Sequence, residues 1–446
     1  MRTENVIACL LLCAIVSCGT QSSDELSRVN GRSISADEFI FSYETSPRSV
    51  IAGPRESAYD RVLDRLIERV LLSQESRRRG LDQDPETMRE LTFLEDAAIR
   101  RELFRDKIRE TTIISEDESR LAFSMAQKTL WIQHIVLDSP LSEKPEFWNP
   151  DWRHESINPT TKTVEVPALG QIDLVGWNDV DTDLESVLYQ LELNGWTAPI
   201  QKNGQTHLFR LLNIETNQMI TENQFHGEQE HYRSTLRKRL EHDRSFAFVQ
   251  ETMEPQNLTI KRQVLEQLTQ VLWAARAEQD SLIGKGEGEF NVKDLTIDEI
   301  GSSVLAQFKS GELTVEDFRF YYQMNPQKLE AETMDGLRHV LVNALGIYVR
   351  DIVFAELGRK DGLQHRQEVI KDNQYWHERL LASKLERHIY ELVASKSGPE
   401  SDDAEGTASL ALAELSSTLK HQARIKVDRE LLMKLIQHLF IAFLAT

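Results

Sequence analysis

The chain has 446 residues, 40% hydrophobic and 28% charged, an ordinary globular composition with room for two or three domains. Its formal net charge of −20 speaks against nucleic-acid partners and against electrostatic docking on anionic lipid, since both depend on clustered Lys and Arg. All three cysteines, Cys9, Cys13 and Cys18, lie close to the N-terminus.

Val6–Val16 is an apolar run behind Met1-Arg2, too short for a comfortable transmembrane helix but of signal h-region length. It ends in Ile15-Val16-Ser17-Cys18, which resembles the bacterial lipobox. That resemblance implies a signal peptide over 1–17, acylation of Cys18 and a lipid-anchored tether over 18–27. Gly19, standing where an Asp would signal retention, implies the outer membrane. Loss of the signal removes Cys9 and Cys13, leaving no catalytic thiol and no disulfide framework.

Arg28–Tyr43, RVNGRSISADEFIFSY, returns later as Ala306–Tyr322, AQFKSGELTVEDFRFYY. Aligning Phe39 with Phe318 pairs Ile34 with Leu313, Ser35 with Thr314, Phe41 with Phe320 and Tyr43 with Tyr322. Each copy reads as a hairpin entering a capped helix. Asn30-Gly31 is a tight-turn dipeptide, and Ser35 with Glu38 and Thr314 with Asp317 fit capping boxes. A second apolar helix follows each copy and stops at a basic stretch and Gly, at Gly80-Leu81 and Gly362-Leu363. The aromatic and aliphatic positions read as core.

Ile114–Phe123 looks like the linker helix that precedes a parvulin-type domain, and KTLWIQHIVL is similar to that domain's opening strand. Pro140–Pro167 contains proline dipeptides that break helical pattern. Gly170–Trp177 resembles a turn, and the segment from Asp183 to Leu212 the helix, Gly turn and final strand, of a parvulin-type domain. Thr221–Met253 is a long polar helix candidate. The halves also end alike: Asn257–Leu268 resembles Ala423–Leu435, each a short strand followed by a helix, expected to dock on its own half. IGKGEGEF near Gly284 lacks the GK[ST] of a phosphate loop and reads as linker, and Ala394–Ala408 is a second break. The apolar end from Ile436 is too short to span a membrane. His226 and His231 do not share a helix face. His377 and His388 do, but lack a third ligand, so no metal site is expected. Five of the seven Trp crowd Trp131–Trp196, where core is the expected role.

VNGRSISADEF with LDRLIERVLLSQESRRRGL resembles the N-terminal segment of the SurA/PpiC/PrsA-like periplasmic folding factors. WIQHIVL and GQIDLVGW resemble the first strand and the GGDLGW turn of a parvulin-type domain. The resemblance implies an α+β, mostly α fold. Its parts are a discontinuous first helical lobe over 28–127 and 216–273, a parvulin-like domain over 128–215, a linker over 274–303 and a second helical lobe over 304–446. His134 and His207 match the family's two strand histidines. Val180 and Leu184 fall at its proline-cup Met and Phe positions, and Tyr189 replaces a core Phe.

Prolyl isomerisation is rotation about a partial double bond, with a barrier of about 18–20 kcal/mol. It needs no metal, cofactor or nucleophile, only a cup that favours the twisted amide. The departures at Leu184 and Pro140–Pro167, and the missing Cys-or-Asp, point to a degenerate cup. The expectation is therefore a lipid-anchored periplasmic chaperone, at the inner leaflet of the outer membrane, that holds unfolded or nascent envelope polypeptides. An active prolyl isomerase and a structural lipoprotein of an envelope complex are the alternatives.

Overall fold

The computed structural model describes residues 25–52, 54–137, 170–202, 204–217, 222–283, 297, 299–326, 331–397 and 404–444. Cys18, Pro140–Pro167 and Gly284 lie outside them. The chain is α+β, mostly α, as the resemblance implies. It divides into two compact units, residues 104–257 and the remainder.

In the larger unit the first copy runs β1 (Glu25–Val29), β2 (Arg32–Ser35), α1 (Ala36–Glu44), α2 (Arg48–Ile51), α3 (Arg55–Arg78) and α4 (Pro85–Phe104). Asn30 and Gly31 carry positive φ (49° and 97°), the turn conformation that lets two short strands fold back without splaying. Gly80 ends α3 in the left-handed conformation (φ 77°), followed by a 3-10 turn, Leu81–Gln83.

The smaller unit contains α5 (Glu116–Ala126), β3 (Lys128–Leu137), β4 (Gln171–Val175), α6 (Thr182–Tyr189), β5 (Ile200–Lys202), β6 (Gln205–Thr216) and α7 (Glu222–Met253). Its antiparallel sheet has the order β4-β3-β6-β5. Side chains from α6 pack on one sheet face over Leu130, Ile132, Val175, Phe209 and Leu211. Phe123 of α5 meets Phe225 and Tyr232 of α7 edge-on. Ser115 and Glu118 close a capping box on α5.

The chain re-enters the larger unit as β7 (Thr259–Ile260) and α8 (Arg262–Ile283), so part of the segment expected to be linker is helix. The second copy follows as β8 (Val304–Phe308), β9 (Gly311–Thr314), α9 (Val315–Met324), α10 (Met334–Lys360) and α11 (Gln367–Ser397). Last come α12 (Ala404–Gln422), β10 (Ile425–Val427) and α13 (Arg429–Leu444). Gly362 (φ 78°) and the 3-10 turn Leu363–His365 repeat the α3–α4 junction residue for residue.

The expected docking of each strand–helix end on its own half is corrected. β10 pairs with β1 of the first copy, and β7 with β8 of the second. The contacts are equivalent: Asp428 N–H donates to Leu26 O and Lys261 N–H to Leu305 O, both at 2.9 Å. Leu432 of α13 sits in the first-copy core with Phe39, Val62 and Leu66. Leu265 and Leu268 of α8 sit in the second with Phe318, Leu341 and Leu345. The second helices are exchanged too. α11 lies along α3, and α4 crosses α10 so closely that a Cβ at Gly358 would collide with Ile99. Of the elements in the first lobe expected over 28–127 and 216–273, α5 and α7 lie in the smaller unit, and α8 packs in the second-copy core.

Candidate functional site

Two places bring chemistry-bearing side chains together. The first is on the four-stranded sheet. In the antiparallel register His134 faces Phe209 and Val136 faces His207, which places both imidazoles on the sheet face that carries Ile132 and Leu211. His134 Nε2 lies 3.0 Å from His207 Nδ1, and His134 Nδ1 lies 3.5 Å from Asp173 Oδ2 on β4. Phe209 stacks on His134 at 4.4 Å between centroids. Burial and the neighbouring His207 hold the His134 pKa below its ordinary 6.5, against the pull of Asp173. With a proton on His134 Nδ1 facing Asp173, Nε2 accepts and His207 Nδ1–H donates. The main-chain path is tight beside it: Gly170 has φ 106°, and a Cβ there would strike the carbonyl oxygen of His134.

Val180 and Leu184 are half-buried and pack on the cluster of Ile132, Phe209 and Leu211, on the sheet face that also carries His134 and His207. The Tyr189 hydroxyl reaches Met125 O at 3.2 Å and Lys128 O at 3.3 Å, anchoring α6 to the start of β3, and burial pushes its pKa up to about 12. The site is thus a pair of imidazoles in contact, backed by one carboxylate and by the Phe209 ring.

The second place lies wholly in the larger unit, where α4 meets α9 and α10. A cavity of about 260 Å³ is lined on its apolar side by Phe93, Leu313, Phe320, Tyr321 and Tyr348. Phe93 sets its ring edge against Phe320 and Tyr321, and Tyr348 stacks on Tyr321 at 3.9 Å. The polar side carries Asp96, Glu312, Asp317 and Asp351 with Arg89 and Arg100. Arg89 lies 4.0 Å over the Phe320 ring and bonds Asp317 at 2.6 Å. Asp351 accepts from Arg350 at 2.8 Å and from the Tyr321 hydroxyl at 3.2 Å. Asp96 pairs with Arg359, yet burial outweighs that partner and raises its carboxyl pKa. Sequence reasoning missed this place. Phe320 was visible as a repeated aromatic, but Phe93 and Asp96 reach it only because α4 crosses to the second copy.

No protein-family model and no curated protein matches the chain. Among solved structures, it is similar to one reported for two structurally related SurA-like chaperones of Campylobacter jejuni, the virulence factor PEB4 and the periplasmic protein Cj1289. The match has 16% identity and a TM-score of 0.21, over 52% of this chain and 96% of the other.

Proposed function

We propose that this protein is a periplasmic lipoprotein chaperone that holds unfolded envelope polypeptides, and that its four-stranded domain has reduced or no prolyl-isomerase activity. The observation that carries this is the open aromatic and charged cavity of the larger unit. It offers room for a side chain, not for a folded segment, which suits weak and repeated contact with extended clients. The lipobox-like Ile15–Cys18 supports the anchor, since acyl chains contribute about 0.8 kcal/mol per buried CH₂.

A second reading, a parvulin-type isomerase, is favoured by the 3.0 Å contact of His134 and His207 with Asp173 behind it. Against it stands Leu184 at the family's cup Phe position, because only a snug apolar cup binds the twisted amide better than the planar one. Aggregation suppression of an unfolded outer-membrane protein, run beside a prolyl-peptide isomerisation assay, decides. Suppression with little catalysis is expected. Catalysis at rates ordinary for parvulins, lost on either histidine substitution, would replace the first reading with the second. For the anchor, Cys18→Ser should move the protein from the membrane to the soluble fraction.

A further inference from the structure

The two copies build the same cup, and only one of them fills it. Pairing Phe39 with Phe318 carries Arg32 onto Gly311, Glu38 onto Asp317 and Phe41 onto Phe320. Pairing Gly80 with Gly362 carries Arg69 onto Asp351, Phe93 onto Tyr375 and Asp96 onto Glu378. The first cup is therefore made by Arg32, Glu38, Phe41, Arg69, Tyr375 and Glu378. The second is made by Gly311, Asp317, Phe320, Asp351, Phe93 and Asp96.

In the first cup Arg32 is the plug. Its guanidinium donates to Glu38 at 2.9 and 3.1 Å and to Glu378 at 2.7 and 3.1 Å. Arg69 lies 4.1 Å over Tyr375 and bonds Glu38 at 2.7 Å. In the second cup both acids are kept and both of these arginines are lost. Arg89 bonds Asp317 as Arg69 bonds Glu38, but stacks on Phe320, the counterpart of Phe41, where Arg69 stacks on Tyr375. The place of Arg32 falls to Gly311, which has no side chain to fill it, and the adjacent Glu312 and Leu313 line the cavity together with Asp96 and Asp317. The capping contacts differ in the same sense. Asp317 turns back to close its capping box on Thr314, whereas Glu38, held by two arginines, makes no reciprocal bond to Ser35. The lining carries four acids against two arginines, and Arg359 and Arg350 reach Asp96 and Asp351 from beside it.

We infer that the second-copy cavity is a recognition site for an arginine side chain of a bound polypeptide, whose guanidinium takes the position that Arg32 fills in the first copy. The planar fork meets Asp96 and Asp317 as Arg32 meets Glu378 and Glu38, and the side chain's methylenes lie along Phe93 and Phe320. The inference names the client chemistry of the holding function proposed above and rests on that reading.

The test uses the full chain and two end-capped, unstructured Gly/Ser/Ala peptides. One carries a single arginine and the other citrulline, the uncharged isostere, and binding is followed by fluorescence anisotropy. The arginine peptide should bind at least about tenfold tighter, the discrimination expected of charged hydrogen bonds. Gly311→Arg should abolish the preference by supplying the plug. That position tolerates a side chain, since its φ is not left-handed and a Cβ meets only Phe308 Cζ at 3.5 Å. Asp96→Asn should reduce it without filling the cavity. Equal affinity for the two peptides, or a preference that survives Gly311→Arg in a folded protein, overturns the inference. Aggregation suppression measured on the same samples separates the two proposals. Suppression without an arginine preference sinks the cavity assignment alone, and an arginine preference without suppression sinks the chaperone reading.

Discussion

The crossed docking of the chain ends can be tested by one pair of truncations. Leu432 on α13 and Leu265 on α8 occupy equivalent positions and are almost fully buried, 2% and 5% exposed, in the first-copy and second-copy cores respectively. Leu→Ala at such a site removes three carbons and leaves a partly unfilled cavity, which costs about 3 kcal/mol. Where amides exchange through cooperative opening of one core, that loss speeds exchange on the order of a hundredfold. Hydrogen exchange read by mass spectrometry locates it. Leu432→Ala should release Leu26–Ile34 and Val62–Leu71, and leave Leu305–Leu313 and Leu337–Leu345 protected. Leu265→Ala should do the reverse. If Leu432→Ala instead loosens the second copy and spares the first, the crossed arrangement is wrong.

His134 should titrate below 6.5 by NMR, and Asp173→Asn should lower it further by removing the one group that favours the imidazolium. Because the folded pKa is depressed, the unfolded chain takes up the proton first as pH falls below about 6.5. The sheet unit should therefore lose stability from there down to the folded pKa, and a folded value above 6.5 would reverse that sign. Tyr189→Phe should cost the smaller unit about 1 kcal/mol in denaturant titrations by removing the hydroxyl's bond to Met125 O or Lys128 O. Gly358→Ala should destabilise by about 1–3 kcal/mol through overpacking against Ile99. Ile99→Ala should then rescue part of that loss in the double variant, whereas simple additivity would remove the close crossing from the account.

Local features were legible in the sequence because local rules determine them. Asn30-Gly31 turns, Ser35 and Thr314 cap their helices, and Gly80 and Gly362 end them. The alternation along WIQHIVL and THLFRLL placed His134 and His207 on strands that proved adjacent. What sequence could not resolve depends on distant partners. Glu38 carries the signature of a capping box, but Arg32 and Arg69 hold its carboxylate, and its position in the sequence says nothing of them. Tyr189 reads as a core aromatic, while its hydroxyl ties α6 to two backbone carbonyls more than sixty residues earlier. The second-copy cavity was invisible for the same reason: Phe93 and Phe320 meet only across the exchanged helices.

The pairing of β1 with β10 also sets an order of events when the chain emerges N-terminus first. β1 has a hairpin partner on one edge from the start, but its other edge is completed by residues near Val427. Until those residues emerge, the first copy presents unpaired backbone groups and an apolar surface that lacks Leu432. β8 faces no such wait, because β7 precedes it. The second copy can therefore close while the first still stands open, and a chain interrupted before β10 would carry an N-terminal strand free to pair with another molecule.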